Sequence, residues 1–136
     1  MAFVPKYNAE WRLRFFPKKA STALTYGMAV IQDSGSSGQI APATTSTDLV
    51  CGIIQASASS GDATNSVVPV LIPILPQATF IVTTASQATA GTTVDIASGA
   101  LSVDPGASTE DVVTITKALT STSAEGFFNT PAPTRA

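Results

Sequence analysis

Val67-Val68-Pro69-Val70-Leu71-Ile72-Pro73-Ile74-Leu75-Pro76 is the most apolar stretch of the chain, and Thr79-Phe80-Ile81-Val82-Thr83-Thr84 follows it directly. β-Branched and large aliphatic residues occupy both phases of the pleat, the pattern of a strand covered on two faces. Three prolines within eight residues argue against a helix, because each removes a donor and collides with the preceding turn. The prolines and Gln77 also leave the run too short of apolar length for a membrane helix. The two segments are expected to be adjoining strands of one buried sheet. Proline cannot donate to a ladder, so the first strand is expected at a sheet edge or with bulges. An apolar edge invites another chain unless prolines or a partner cover it.

Outward from this pair the pattern stays β. Leu24-Thr25-Tyr26-Gly27-Met28-Ala29-Val30-Ile31-Gln32 reads as a strand with a bend or bulge at Gly27. A Gly/Ser-rich turn over residues 33–39 leads into Gln39-Ile40-Ala41-Pro42-Ala43, giving a hairpin with a long tip. After a polar connector over 44–48, Leu49-Val50-Cys51-Gly52-Ile53-Ile54-Gln55 reads as a strand buried on both faces. Residues 56–66 are small and polar, with Gly61-Asp62 as their turn signal. Downstream, a turn over 87–92 precedes Thr93-Val94-Asp95-Ile96-Ala97. Ser98-Gly99-Ala100 reverses this strand into Leu101-Ser102-Val103. Asp104-Pro105-Gly106 is a turn in which proline fixes φ and glycine permits the reversal. Asp111 to Leu119 reads as the last strong strand, and Glu125 to Asn129 as a closing one. Many short strands without a helical period predict an all-β fold, a small closed or nearly closed barrel or a sandwich.

The chain has 136 residues, enough for one domain with a modest core. Charged residues are only 12% of it, about half the usual share. Its surface must therefore be dressed mainly with Ser, Thr, Asn and Gln. Weak charge gives little repulsion between copies, which hints at an assembled state. The net charge of −2 conceals an asymmetry. Lys6, Arg12, Arg14, Lys18 and Lys19 lie in the first twenty residues, whereas the remainder is acidic.

That basic leader is also aromatic. Phe3, Tyr7, Trp11, Phe15 and Phe16 are five of the nine aromatic residues. Glu10-Trp11-Arg12-Leu13-Arg14-Phe15-Phe16 alternates, with Trp11, Leu13 and Phe15 on one face and Arg12, Arg14 and Phe16 on the other. Pro5 and Pro17 bracket it, again against helix. Two readings follow. The segment is the barrel's own first strand, or it is a docking arm that adds a strand to a partner through main-chain bonds. The division expected is an extended N-terminal arm over 1–20, a β-barrel domain over 21–130 and a mobile tail over 131–136. The residues expected to contact a partner are Trp11, Arg12, Leu13, Arg14, Phe15, Phe16, Lys18 and Lys19.

No chemistry announces itself. There is no histidine, which removes the commonest general base and metal ligand. The lone Cys51 sits in an apolar run and reads as a small buried hydrophobe. One cysteine and no histidine cannot build a structural zinc site in a single chain. No Gly-x-Ser-x-Gly elbow and no phosphate-cradling loop occur. Glu110-Asp111 lacks the alternating ligand loop of a calcium site and reads as a solvated turn. The expectation is no enzyme activity, no cofactor, no metal and no small-molecule substrate. Nucleic acid is disfavoured because the body is acidic and offers no basic groove. The opening Met-Ala-Phe-Val-Pro-Lys lacks an apolar h-region and a cleavage site, so synthesis and retention in a reducing cytoplasm are expected.

Set in order, these residues carry a resemblance. Ala23-Leu24-Thr25-Tyr26-Gly27-Met28-Ala29-Val30, Val50-Cys51-Gly52-Ile53-Ile54, Phe80-Ile81-Val82-Thr83, Ala90-Gly91-Thr92-Thr93-Val94 with Gly99-Ala100-Leu101, and Val112-Val113-Thr114-Ile115 before Gly126-Phe127-Phe128 follow one another as in a known family. From about residue 24 to 128 the body resembles the small capsid decoration, or cement, proteins of tailed bacteriophages. The Trp-Arg-Leu-Arg-Phe-Phe run lies outside that resemblance. It implies a compact β-barrel or β-tulip and a structural virion protein on the exterior of the phage head. It further implies a dimer or trimer that clamps major capsid protein subunits, made in the host bacterial cytoplasm, without membrane attachment. A receptor- or glycan-binding β module of a phage tail or bacterial surface is the alternative; it would need exposed rings among Tyr26, Phe80, Phe127 and Phe128.

Overall fold

The structure is a computed structural model that describes residues 1–33, 38–45, 50–61 and 66–129. The expected tail lies outside the described residues, as do most of the turn at 33–39, part of the connector at 44–48, Leu49 and Asp62. Among the described residues the fold is all β: eleven strands and one short 3-10 turn.

The strands divide between two sheets in chain order. Strands β2 (Trp11–Pro17), β3 (Ala29–Asp33), β4 (Gln39–Pro42), β5 (Gly52–Ile54) and β6 (Val67–Pro73) form one sheet in the order β2-β6-β5-β3-β4. Strands β7 (Phe80–Thr84), β8 (Thr93–Ile96), β9 (Ser102–Asp104), β10 (Val113–Thr120) and β11 (Ser123–Phe128) form the other, β7-β11-β10-β8-β9, and β1 (Phe3–Pro5) lies against β7. A parallel pairing of Thr83 and Thr84 with Ser102 and Val103 joins β9 back to β7 and closes a five-stranded barrel. β7 thus shares one edge between two partners, since Phe80, Ile81 and Val82 pair with β1. The strand expected at residues 24–32 begins only at Ala29. Gly27 before it has φ +88°, and the Ala2 side chain occupies the space a Cβ would need.

The stretch at 67–84 requires two corrections. β6 and β7 are not neighbours in one sheet; the chain crosses from one sheet to the other between them. Nor is β6 an edge strand, for it lies between β2 and β5. The backbone explains how prolines fit there. Gln55 N–H donates to the Pro69 carbonyl at 2.9 Å, so odd-numbered residues of β6 turn their polar groups toward β5. β5 is only three residues long and pairs with Val70 and Leu71 alone. Pro69 and Pro73 fall beyond its two ends, outside the paired residues Val70 and Leu71.

Two apolar clusters hold the sheets. The larger fills the barrel and the gap between barrel and sheet. Phe3, Phe80 and Phe128 meet there with ring centroids 4.6–5.6 Å apart, and Trp11, Ala29, Val50 and Ile53 join from the sheet. The smaller lies on the sheet's other face: Phe16, Leu24, Val30, Ile40, Cys51, Ile54, Val68, Val70 and Ile72. β5 is therefore buried on both faces, as its sequence indicated. At Gly52 a Cβ would lie 2.3 Å from the Leu71 carbonyl oxygen, so only glycine permits β5 and β6 to approach this closely.

Residues 1–20, expected as an arm ahead of the domain, are extended but paired within the chain. β1 runs along β7, and all seven residues of β2 pair with β6. Lys6 forms an ion pair with the buried Glu125, whose hydrogen bond holds the Lys6 ammonium above its ordinary pKa. Of the two sequence readings, the structure has the segment as strands of the fold itself.

Candidate partner-binding edge

β2 forms because its apolar and polar residues alternate and both of its faces find cover at some point. Its register with β6 runs without a bulge from Trp11↔Pro73 to Pro17↔Val67. The backbone orientation follows from the hydrogen bonds at its ends. Lys18 N–H donates to Ser66 O at 2.7 Å, and Ile74 N–H donates to Glu10 O at 2.9 Å. Even-numbered residues of β2 therefore turn their polar backbone groups toward β6, and odd-numbered residues turn theirs away.

The far edge is closed only at its C-terminal end. There Lys18 bridges to Ile40, and Lys19 N–H donates to the Ile40 carbonyl at 3.0 Å. Upstream, no strand among the described residues pairs with the outward N–H and C=O groups of Leu13 and Phe15. Their side chains are open as well, Leu13 49% and Phe15 63% exposed. Val67, 63% exposed, and the half-buried Pro69 and Leu71 continue this apolar ridge on β6. On the opposite face, Arg12 is exposed and Arg14 partly so at the rim of the smaller cluster. Among the described residues neither guanidinium has a carboxylate within ion-pair distance.

The other residues expected to contact a partner are occupied inside the molecule. Trp11 is buried in the larger cluster and its indole N–H donates to Thr79 O at 3.3 Å. Phe16 is buried in the smaller cluster. Lys18 is fully buried, and its ammonium donates to the carbonyls of Lys19 at 2.9 Å and Thr22 at 2.8 Å. Lys19 is half-buried. A folded chain thus presents Arg12, Leu13, Arg14 and Phe15 most openly, and Trp11, Phe16 and Lys18 position them. Alternation had placed Phe16 on the face opposite Trp11; that Lys18 shares this inward face follows from the same parity.

Two further features lay beyond sequence reading. Glu10 clasps the turn between the sheets: its carboxylate accepts from Thr79 N–H at 2.9 Å and its carbonyl from Ile74 N–H. The clasp holds Ile74 and Leu75 exposed beside an open cleft of about 620 Å³ lined by Glu10, Leu75, Pro76, Gln77 and Thr79. Asp95 is buried, and its carboxylate accepts from the backbone N–H groups of Thr109, Glu110 and Asp111 at 2.8–3.1 Å. Asp95 therefore shapes the loop after β9. Asp111 accepts a hydrogen bond from the Thr93 hydroxyl at 2.7 Å.

The reactive groups are subdued. Burial pushes the Cys51 thiol up to about 12, so it is protonated and inert as a nucleophile at neutral pH. Among the described residues no three His, Cys, Asp or Glu side chains gather as metal ligands, and no helix is long and apolar enough to cross a membrane. Of the rings considered for glycan binding, Phe80 and Phe128 are core, Phe127 is half-buried and only Tyr26 is exposed. No protein-family model matches the sequence, and no curated protein matches it.

Proposed function

We propose that this chain is a structural virion protein that decorates the exterior of a tailed-phage head and ties neighbouring major capsid protein subunits together. The observation that carries the reading is the open edge of β2, whose outward backbone groups at Leu13 and Phe15 pair with no strand among the described residues and whose Leu13 and Phe15 side chains are exposed, set on a weakly charged β body. Such an edge is suited to strand addition. The sequence resemblance supports the same role. A protein that binds the expanded shell and not its precursor stabilises the expanded state by mass action. Dimers or trimers fit this role, with Ile74 and Leu75 on the clasped turn as apolar contacts between copies.

The test is occupancy on purified DNA-filled heads. Deleting residues 1–19 would remove β1 and β2 and with them part of both clusters, so a surface change is the better probe. Phe15→Asp should leave the circular dichroism spectrum unchanged and reduce the copies per head by about tenfold or more, as expected for an anchor at the centre of an interface. Absence of the wild-type protein from intact particles would end the proposal.

A further inference from the structure

The edge of β2 carries more information than openness. Its polar backbone groups point outward at Leu13 and Phe15 and are closed off downstream by the Lys18–Ile40 bridge, which sets the length of strand that fits. Leu13 and Phe15 offer apolar side chains on one face, and Arg12 and Arg14 offer positive charge on the other.

A second copy of β2 is a poor match in the register that uses both open residues. Laid antiparallel so that Leu13 exchanges hydrogen bonds with Phe15 of the copy, it sets Arg14 directly against Arg14 of the copy. Like charges directly opposite one another destabilise a strand pair. The two arginines therefore act against self-pairing while leaving the edge open to a strand of opposite charge.

We infer that the outer edge of β2 is a strand-addition site for an extended segment of a different protein, one that alternates apolar and acidic residues. Its apolar side chains lie beside Leu13 and Phe15, and its Asp or Glu side chains face Arg12 and Arg14, supplying the carboxylates these guanidiniums lack among the described residues. This deepens the proposed function, and it rests on the β2 edge being the contact surface.

The experiment uses the full chain and two short blocked peptides, one alternating Val with Glu and one alternating Val with Lys. Fluorescence anisotropy should show the Val/Glu peptide bound at least about tenfold more tightly, the scale of one well-placed charge pair. Hydrogen exchange at the Leu13 and Phe15 amides should slow when that peptide is added. Arg14→Gln should weaken the preference, and replacing both Arg12 and Arg14 with Glu should reverse it. Equal affinity for the two peptides, unchanged amide exchange, or tighter binding of a single-stranded oligonucleotide would overturn the inference. Heads coated by a protein that ignores both peptides would overturn it while leaving the shell reading intact. Peptide binding by a protein never found on heads would do the reverse.

Discussion

The barrel of β7–β11 and the sheet of β2–β6 solve the same problem to different degrees. In the barrel every strand has a neighbour on both sides, because β9 returns to β7 by parallel pairing. Its interior is apolar and tightened by three phenylalanine rings. The sheet curls in the same way around its own cluster, yet it closes through one bridge, Lys18 to Ile40, beside a buried ammonium held by carbonyls. The difference teaches where interaction can occur. Full closure removes edges; partial closure leaves, among the described residues, a short open edge at Leu13 and Phe15.

This contrast can be broken first at the barrel. Phe80 is fully buried and touches both other rings. Phe80→Ala should cost about 3–5 kcal/mol in urea unfolding. A loss below about 1 kcal/mol would show that the barrel relaxes around the gap and is no more tightly packed than the sheet.

The sheet's closure is the next target. Lys18→Met keeps most of the buried stem and removes the ammonium, leaving the carbonyls of Lys19 and Thr22 without that donor. The expected cost is about 1–3 kcal/mol, with faster amide exchange at Lys19 and little change at Val82 in the barrel. Equal acceleration at both amides would mean that the two sheets open together and that the bridge is no local clasp.

The smallest effect is absent at neutral pH. Cys51 has its thiol raised from 9.0 to about 12 by burial. The unfolded chain releases this proton above 9.0 and the folded chain keeps it. The stability is therefore fully present below pH 9.0 and declines as pH rises toward about 12, by at most about 1.4 kcal/mol per pH unit. Cys51→Ala should decline less steeply over that window, and parallel curves would show that the smaller cluster admits water.

Local pattern made most strands legible. The turn at 98–100, the existence of β10 and β11 as strands, and the doubly covered β5 follow from turn chemistry and from apolar residues in both phases of the pleat. Partnering was not legible. The apolar run at 67–76 and the strand after it look continuous, and nothing local says that the chain changes sheets between them. The prolines pointed to an edge because a missing N–H matters only where a neighbour would accept it, and the length of β5 decides that. At β2, alternation correctly separated the two faces. It could not tell that the face of Arg12, Arg14 and Phe16 ends over a buried cluster, or that the Lys18 ammonium on that face would be fully buried and held by carbonyls.

The chain order of the two sheets has a consequence for synthesis. All strands of the first sheet are contained in residues 11–73, and all strands of the barrel ring in residues 80–128. A ribosome therefore finishes the first sheet before β7 exists. Only β1 is out of sequence, for its Phe3 completes the ring cluster with Phe80 and Phe128. β1 precedes the first sheet yet pairs with residues 80–82, so it cannot take its place until β7 has been made.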